Sequence, residues 1–208
     1  MNGLNNIENF EKPKHIKKIQ FLIHPGFISD PNLEDVTASQ RDAGFMRPAE
    51  ELMDKYIEEA KTLGEDELVF AFLDSSNGQI KSHIQNDELY ICKINELRDI
   101  LGRRFIVLSG VDYHDFFDSP QEIFDDARRI AKARGYEFDT DTITEAYGEC
   151  MNVCVEAGAI AFNRAGGFKE PTKIKIKLTN EPEADPREIR RIQNRIGLDG
   201  ADKIDYEE

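Results

Sequence analysis

The sequence predicts an α/β protein in which a mostly parallel β-sheet lies between helices on both faces, a three-layer, Rossmann-like fold. Short apolar segments at residues 16–23, 68–73 and 105–108 predict strands, and the last two, which are continuously apolar, predict strands that are covered on both faces. Segments with helical spacing separate these strands. Strand and helix alternating in this way are typical of parallel sheets joined by right-handed crossovers.

Turn-forming residues and helical periodicity define the remaining elements. The segment 27–46 has no periodicity and is interpreted as a long loop or lid. Helical spacing then predicts a helix from Pro48 to Gly64, and Ser119-Pro120 predicts the start of another that ends near Gly135. Further predicted elements are a short strand at 89–92, helices at 95–101 and 142–165, and a last helix from 185 to 197.

The segment at residues 173–178 alternates isoleucine and leucine with lysine, which predicts a strand at the edge of the sheet. Together these elements divide the chain into a flexible N-terminal lead at 1–15, a single α/β domain at 16–198 and an acidic tail at 199–208.

Composition and charge exclude several classes of protein. The formal net charge of −14 opposes binding to nucleic acid, because phosphates would be repelled. No apolar run approaches the roughly 18 residues that a membrane span requires. Three cysteines do not form a secreted disulfide framework, so we expect a cytoplasmic protein with reduced thiols. The partners that remain open are a small-molecule ligand and a second copy of the chain.

Polar side chains follow each of the three buried strands. In open α/β sheets, ligands bind beyond the carboxyl ends of the strands, so these side chains are expected to converge in one crevice. The first strand leads to His24. The other two lead to five further residues: Asp74, Ser75, Asp112, His114 and Asp115.

Two kinds of chemistry fit this set. A histidine paired with an aspartate could act as a general base, with His24, Asp112 and His114 as catalytic residues. The same three residues offer nitrogen and oxygen ligands for a divalent metal. Substrate binding is assigned to Asp74, Ser75 and Asp115. The competing explanation is that these residue types only form turns and caps after the strands.

The function predicted from these residues is a small hydrolase-type enzyme that acts on a small polar substrate, with or without a metal. The alternative is a non-catalytic binding or assembly protein, for example a homo-oligomer. Its contact surfaces would be the small-residue helix at 146–165 and the lysine-rich edge strand. Cys150 and Cys154 lie in that helix, and we interpret them as packing residues.

Known catalytic and nucleotide-binding motifs do not narrow the range of possible functions further. No Walker-type loop, no G-x-G-x-x-G after the first strand and no G-x-S-x-G occurs in the chain. The order of elements resembles that of the isochorismatase-like cysteine hydrolases. His24 stands where that family has a catalytic aspartate, and residues 105–115 contain no cysteine. The resemblance therefore implies a shared architecture and not the family's activity.

Overall fold

The computed structural model describes residues 12–25, 49–73, 88–111, 115–149, 154–179 and 201–207. In chain order the strands are β1 (Lys14–His15), β2 (Lys18–Ile23), β3 (Glu67–Leu73), β4 (Phe105–Ser109), β5 (Tyr136–Glu137), β6 (Ile143–Gly148), β7 (Thr172–Thr179) and β8 (Ile204–Glu207). The α-helices are α1 (Ala49–Thr62), α2 (Glu88–Leu101), α3 (Asp115–Asp118), α4 (Pro120–Ala133) and α5 (Glu156–Gly166).

The main sheet has six strands, all parallel, in the order β4-β3-β2-β6-β7-β8. Numbered by their sequence within this sheet, the strands run 3-2-1-4-5-6, the order typical of doubly wound Rossmann folds. The prediction of a mostly parallel sheet in a three-layer α/β fold is therefore confirmed.

Alternate residues of the central strand face two separate hydrophobic cores. Ile19, Phe21 and Ile23 belong to a core that also contains buried residues of α4 and α5. Leu22 points to the opposite face and belongs to a core with buried residues of α1 and α2. A strand reverses its side-chain direction at each residue, so the apolar residues of this strand reach both cores and the strand is covered on both faces.

Two predicted elements differ from the structure. The long helix predicted at 142–165 is wrong in its first part, because Ile143–Gly148 forms strand β6 and only Glu156–Gly166 is α-helical in α5. The short strand predicted at 89–92 is also wrong, because these residues lie in helix α2. Apolar residues at the start of an amphipathic helix form a short run that resembles a buried strand in sequence.

The edge of the sheet also differs from the prediction. The lysine-rich strand is present as β7, but β8 pairs with its outer side and takes the edge position. Residues 204–207 had been assigned to the acidic tail, and they form this edge strand instead. Lys175 faces acidic partners of the same chain and not solvent, which explains why a lysine occupies an internal strand.

A small parallel pair, β1 with β5, lies outside the main sheet and includes residues 14–15, which were assigned to the N-terminal lead. The predicted lid at 27–46 and the predicted helix at 185–197 lie outside the described residues. Among the described helices, none combines the length and apolarity needed to cross a membrane.

Candidate functional site

The strand order reverses direction between β2 and β6, the two neighbouring strands at the centre of the sheet. Chain connections leave these strands toward opposite sides, and in doubly wound folds ligands bind at the carboxyl ends of the strands at such a point. His24 directly follows β2, and Glu149 directly follows β6. The fold therefore brings an imidazole-bearing residue and a carboxylate-bearing residue to this point.

His24 ends its strand in an unusual backbone conformation. Its φ angle is 47°, in the left-handed region that non-glycine residues seldom adopt. Its N–H still donates to the carbonyl oxygen of Phe72 in β3, at 2.9 Å, so the residue stays attached to the sheet while the chain turns. Such strained conformations persist where the surroundings fix them, and they are concentrated at functional sites.

The His24 ring is buried, with 1% of the residue exposed, and two contacts hold it. Nε2 lies 3.1 Å from the carbonyl oxygen of Val111, beyond β4. The ring also stacks on Phe116 of α3, with centroids 5.4 Å apart and planes inclined by 19°. A carbonyl oxygen only accepts, so Nε2 donates, and in the neutral ring Nδ1 carries the lone pair. If His24 acts as a general base or as a metal ligand, Nδ1 is therefore the atom that accepts the proton or binds the metal.

Of the residues predicted to form the site, His24 and Asp115 are described. Asp115 begins α3 and is half-buried. Asp74, Ser75, Asp112 and His114 lie outside the described residues. The residues on either side of 112–114 are nonetheless informative, because Val111 and Phe116 both contact the His24 ring.

Glu149 was not predicted as a site residue, because residues 142–165 were expected to be helical. The residue is fully buried, and its N–H donates to the carbonyl oxygen of Ile23 at 3.0 Å, one residue before His24. Gly148 precedes it with φ of 141°, and a Cβ there would lie 2.0 Å from the Ile23 oxygen. The Thr-Glu-Ala-Tyr-Gly segment before Glu149 was the available signal, because a glycine ending such a run can mark a strand exit.

No metal centre forms among the described side chains, where no three His, Cys, Asp or Glu residues are grouped to hold an ion. The predicted metal set needs Asp112 and His114, which are not described. Cys154 is buried in the core, in agreement with its interpretation as a packing residue, and Cys150 is not described.

The small residues of α5 pack against the sheet of the same chain. A Cβ added to Gly158 would lie 2.5 Å from Cδ1 of Ile23, so the glycine allows the helix to approach β2 closely. Ala157 and Ala161 are buried in the same core. The helix surface proposed for assembly in the alternative function is therefore used within the fold.

A second polar cluster lies beneath α1, on the face of the sheet opposite to the one that α4 and α5 cover. Gln20, fully buried in β2, donates to Glu59 Oε1 at 3.2 Å and to Glu145 Oε2 at 3.1 Å. Its own oxygen accepts from the hydroxyl of Tyr147 at 2.9 Å. Lys175 of β7 bridges the two carboxylates and lies 2.8 Å from Glu145.

Electrostatics within this cluster favour the charged forms. Burial alone would raise the pKa of Glu59, but the hydrogen bonds and charge of Lys175, with a further bond from Gln20, hold it below its usual value. Burial opposes the charge of Lys175, and its two carboxylate partners nevertheless raise its pKa. Burial and the neighbouring carboxylates raise the pKa of Tyr147. The cluster is internally paired, so we interpret it as structural.

Comparison with known proteins adds no functional assignment. No protein-family model matches the chain. No curated protein is significantly similar to it in sequence.

Proposed function

We propose that the protein is a hydrolase-type enzyme acting on a small polar substrate at the carboxyl edge of its sheet. The observation that carries the proposal is His24, a buried histidine with φ of 47° at the point where the strand order reverses. A histidine held there by a backbone acceptor and an aromatic ring has a fixed tautomer and orientation, as a general base requires.

In this proposal His24, Asp112 and His114 are the catalytic residues. One imidazole accepts a proton from water or from a substrate hydroxyl, and the Asp112 carboxylate orients it. Asp74, Ser75 and Asp115 bind polar groups of the substrate. The contacts of Val111 and Phe116 with His24 support the grouping, since these residues flank 112–114.

A divalent metal is the second form of the same proposal. Nδ1 of His24, with Asp112 and His114, would supply nitrogen and oxygen ligands, and the Nε2–H bond to Val111 would orient the ring. The metal would supply an activated water. We place the enzyme in the cytoplasm, where its three cysteines would stay reduced.

The proposal is tested with His114→Ala in a screen of small ester, amide and phosphate substrates. We expect turnover to be lost while the melting temperature stays nearly unchanged. His15→Ala is the matched control, because His15 is exposed in β1, which lies outside the main sheet and precedes the start of β2, and it should keep full activity. A wild-type protein that hydrolyses nothing, or a His114→Ala protein that loses most of its stability, would argue against the proposal.

Metal analysis of the purified protein distinguishes the metal-dependent form of the proposal from the metal-free form. In the metal form, a divalent ion is retained at about one per chain, and it is lost together with activity in His114→Ala. Activity that survives exhaustive chelation identifies the metal-free form.

A further inference from the structure

The outer edge of β4 presents backbone groups whose direction follows from the hydrogen bonds of its neighbours. Gly110 N–H donates to Leu73 of β3 at 3.0 Å, so Gly110 faces β3. Backbone direction alternates along a strand, so Leu108 and Ile106 also face β3, whereas Phe105, Val107 and Ser109 face outward. In the part of the chain that the structure describes, β4 is the outermost strand of the main sheet, and β3 is the strand that pairs with it.

Hydrogen bonds at the start of β4 confirm this direction. The Phe105 carbonyl accepts from the Arg134 guanidinium at 2.7 Å, and Arg134 directly follows α4 and is not part of the sheet. The Phe105 N–H donates to Gly102, in the short 3-10 helix before the strand. The outward N–H and C=O of Phe105 therefore have partners, whereas no described strand pairs with the outward side of β4 at Val107 and Ser109.

The two edges of the sheet differ in charge. The strand β8 has the sequence Ile-Asp-Tyr-Glu, and two copies of it side by side would repel each other. The strand β4 has the sequence Phe-Ile-Val-Leu-Ser and carries no charge. A long-range net charge of −14 opposes association in general, so any contact between copies needs a locally neutral or complementary surface.

We propose that β4 pairs with β4 of a second copy of this chain, antiparallel and about a two-fold axis at Val107. In this register each Val107 exchanges N–H···O=C bonds with its counterpart. Ser109 of each copy donates to the Phe105 carbonyl of the other, which has a second lone pair beyond the one used by Arg134. The result is one continuous sheet across an isologous dimer.

Charges at the two ends of β4 fit this arrangement. Arg103 and Arg134 lie at its start, and each donates to the other's carbonyl oxygen. Asp115 and Asp118 belong to α3, which follows the strand's end. Antiparallel pairing brings the start of one strand beside the end of the other, so arginines of one copy approach aspartates of its partner.

The test uses the full chain and begins with its mass in solution across a concentration series by sedimentation equilibrium. The proposal expects a dimer for the wild type. Val107→Pro should weaken it roughly tenfold or more, because proline removes the central outward N–H. Proline is tolerated on edge strands at such positions, so the fold should survive. Val107→Thr keeps the N–H and is the matched control, with dimerisation retained.

Amide hydrogen exchange provides an independent measurement that does not depend on the proline variant folding. The Val107 and Ser109 amides should gain protection as the protein concentration rises, while the amides of β8 should not. A wild type that is monomeric throughout the series would overturn the proposal. So would a dimer in which the amides of β4 show no concentration-dependent protection.

Discussion

The imidazole Nε2 of His24 lies 3.1 Å from the carbonyl oxygen of Val111, although 87 positions separate the two residues in the chain. This bond connects the central strand β2 to the segment after β4 across the end of β3, which lies between them. The carboxyl ends of three neighbouring strands are therefore fixed relative to one another by one side chain. The site's geometry depends on this connection.

His24→Ala should destabilise the protein by roughly 2–4 kcal/mol. The variant loses the bond to Val111 and the stacking on Phe116, and it leaves a cavity in a buried region. Alanine also tolerates the φ of 47° poorly. Urea unfolding followed by circular dichroism measures the loss.

His24→Asn is the informative comparison, because asparagine is better suited to the left-handed region but cannot replace the ring. It should be more stable than His24→Ala and less stable than the wild type. Equal stability of all three proteins would mean that neither the backbone conformation nor the ring contacts contribute.

Gly148→Ala should prevent folding or cost more than about 4 kcal/mol. The new Cβ would lie 2.0 Å from the backbone oxygen of Ile23, and this neighbour cannot move without disturbing the pairing of β2 with β6. Gly135→Ala is the control, because Gly135 also has positive φ, of 85°, but its Cβ would meet nothing within 4 Å. The control should cost about 1–2 kcal/mol. Soluble yield and thermal unfolding distinguish the two variants.

The strands that contain three or more consecutive apolar residues could be predicted from sequence, and β6 could not. Residues 18–23, 67–73 and 105–109 each carry enough consecutive apolar side chains to indicate a strand that is covered on both faces. In β6, Glu145 occupies a buried position. Its charge is compensated by Lys175, which is 30 positions away, and no local pattern reports such a partner. The apolar residues on either side of it then have spacing that also fits a helix.

The same limit applies to the candidate site. His24 could be predicted, because it directly follows an unmistakable strand, and the rule that ligands bind at strand exits needs only that information. Glu149 was not predicted, because its place at the candidate site depends on β6 being a strand beside β2, and the glycine that ends this strand is a weak signal by itself. The presence of β8 outside β7 was likewise hidden, since β8 has only four residues and three of them are polar or acidic.

Lys175→Met should destabilise the protein by roughly 2–4 kcal/mol at neutral pH. Removing the ammonium leaves Glu59 and Glu145 close together around Gln20 with Lys18, 3.5 Å from Glu145, as the remaining cation among their described partners. Lys61→Met provides the control, because Lys61 forms an exposed pair with Glu58 in the same helix as Glu59. Exposed pairs contribute about 0–1 kcal/mol, so this variant should be nearly neutral. Chemical denaturation measures both.

Acid should reduce the difference between Lys175→Met and the wild type. The folded-state pKa of Glu59 is lowered, so its ionised form stabilises the wild type above the unfolded-state pKa, and this contribution is lost as the pH falls through the folded-state value. Protonated Glu59 carries no charge, so the loss of the Lys175 ammonium then costs less stability. A stability difference that stays constant from pH 7 to pH 3 would contradict this account.

The pKa of the Glu156 carboxylate, at the start of α5, is raised, whereas that of Glu59 is lowered. The residue is 3% exposed, and burial raises its pKa, although a hydrogen bond from the Tyr206 hydroxyl of β8 partly offsets the effect. The folded state therefore keeps its proton to a higher pH than the unfolded state does. Between the unfolded-state pKa and the folded-state pKa, the folded protein binds more protons than the unfolded protein does. Its stability therefore falls as the pH rises through this range.

Glu156→Gln should therefore be more stable than the wild type at pH 7 to 8, because glutamine keeps an oxygen that can accept the Tyr206 hydroxyl and carries no charge to bury. The advantage should vanish below about pH 4, where the carboxyl is protonated in both states. Glu122→Gln is the control, because Glu122 is an exposed acidic residue in the first turn of α4. That variant should lose about 0.3–1 kcal/mol, since it removes a favourable charge at a helix start. Denaturant unfolding at several pH values tests both variants. A Glu156→Gln protein less stable than the wild type at pH 8 would contradict this prediction, because it would show that the charge stabilises the helix start by more than its burial costs.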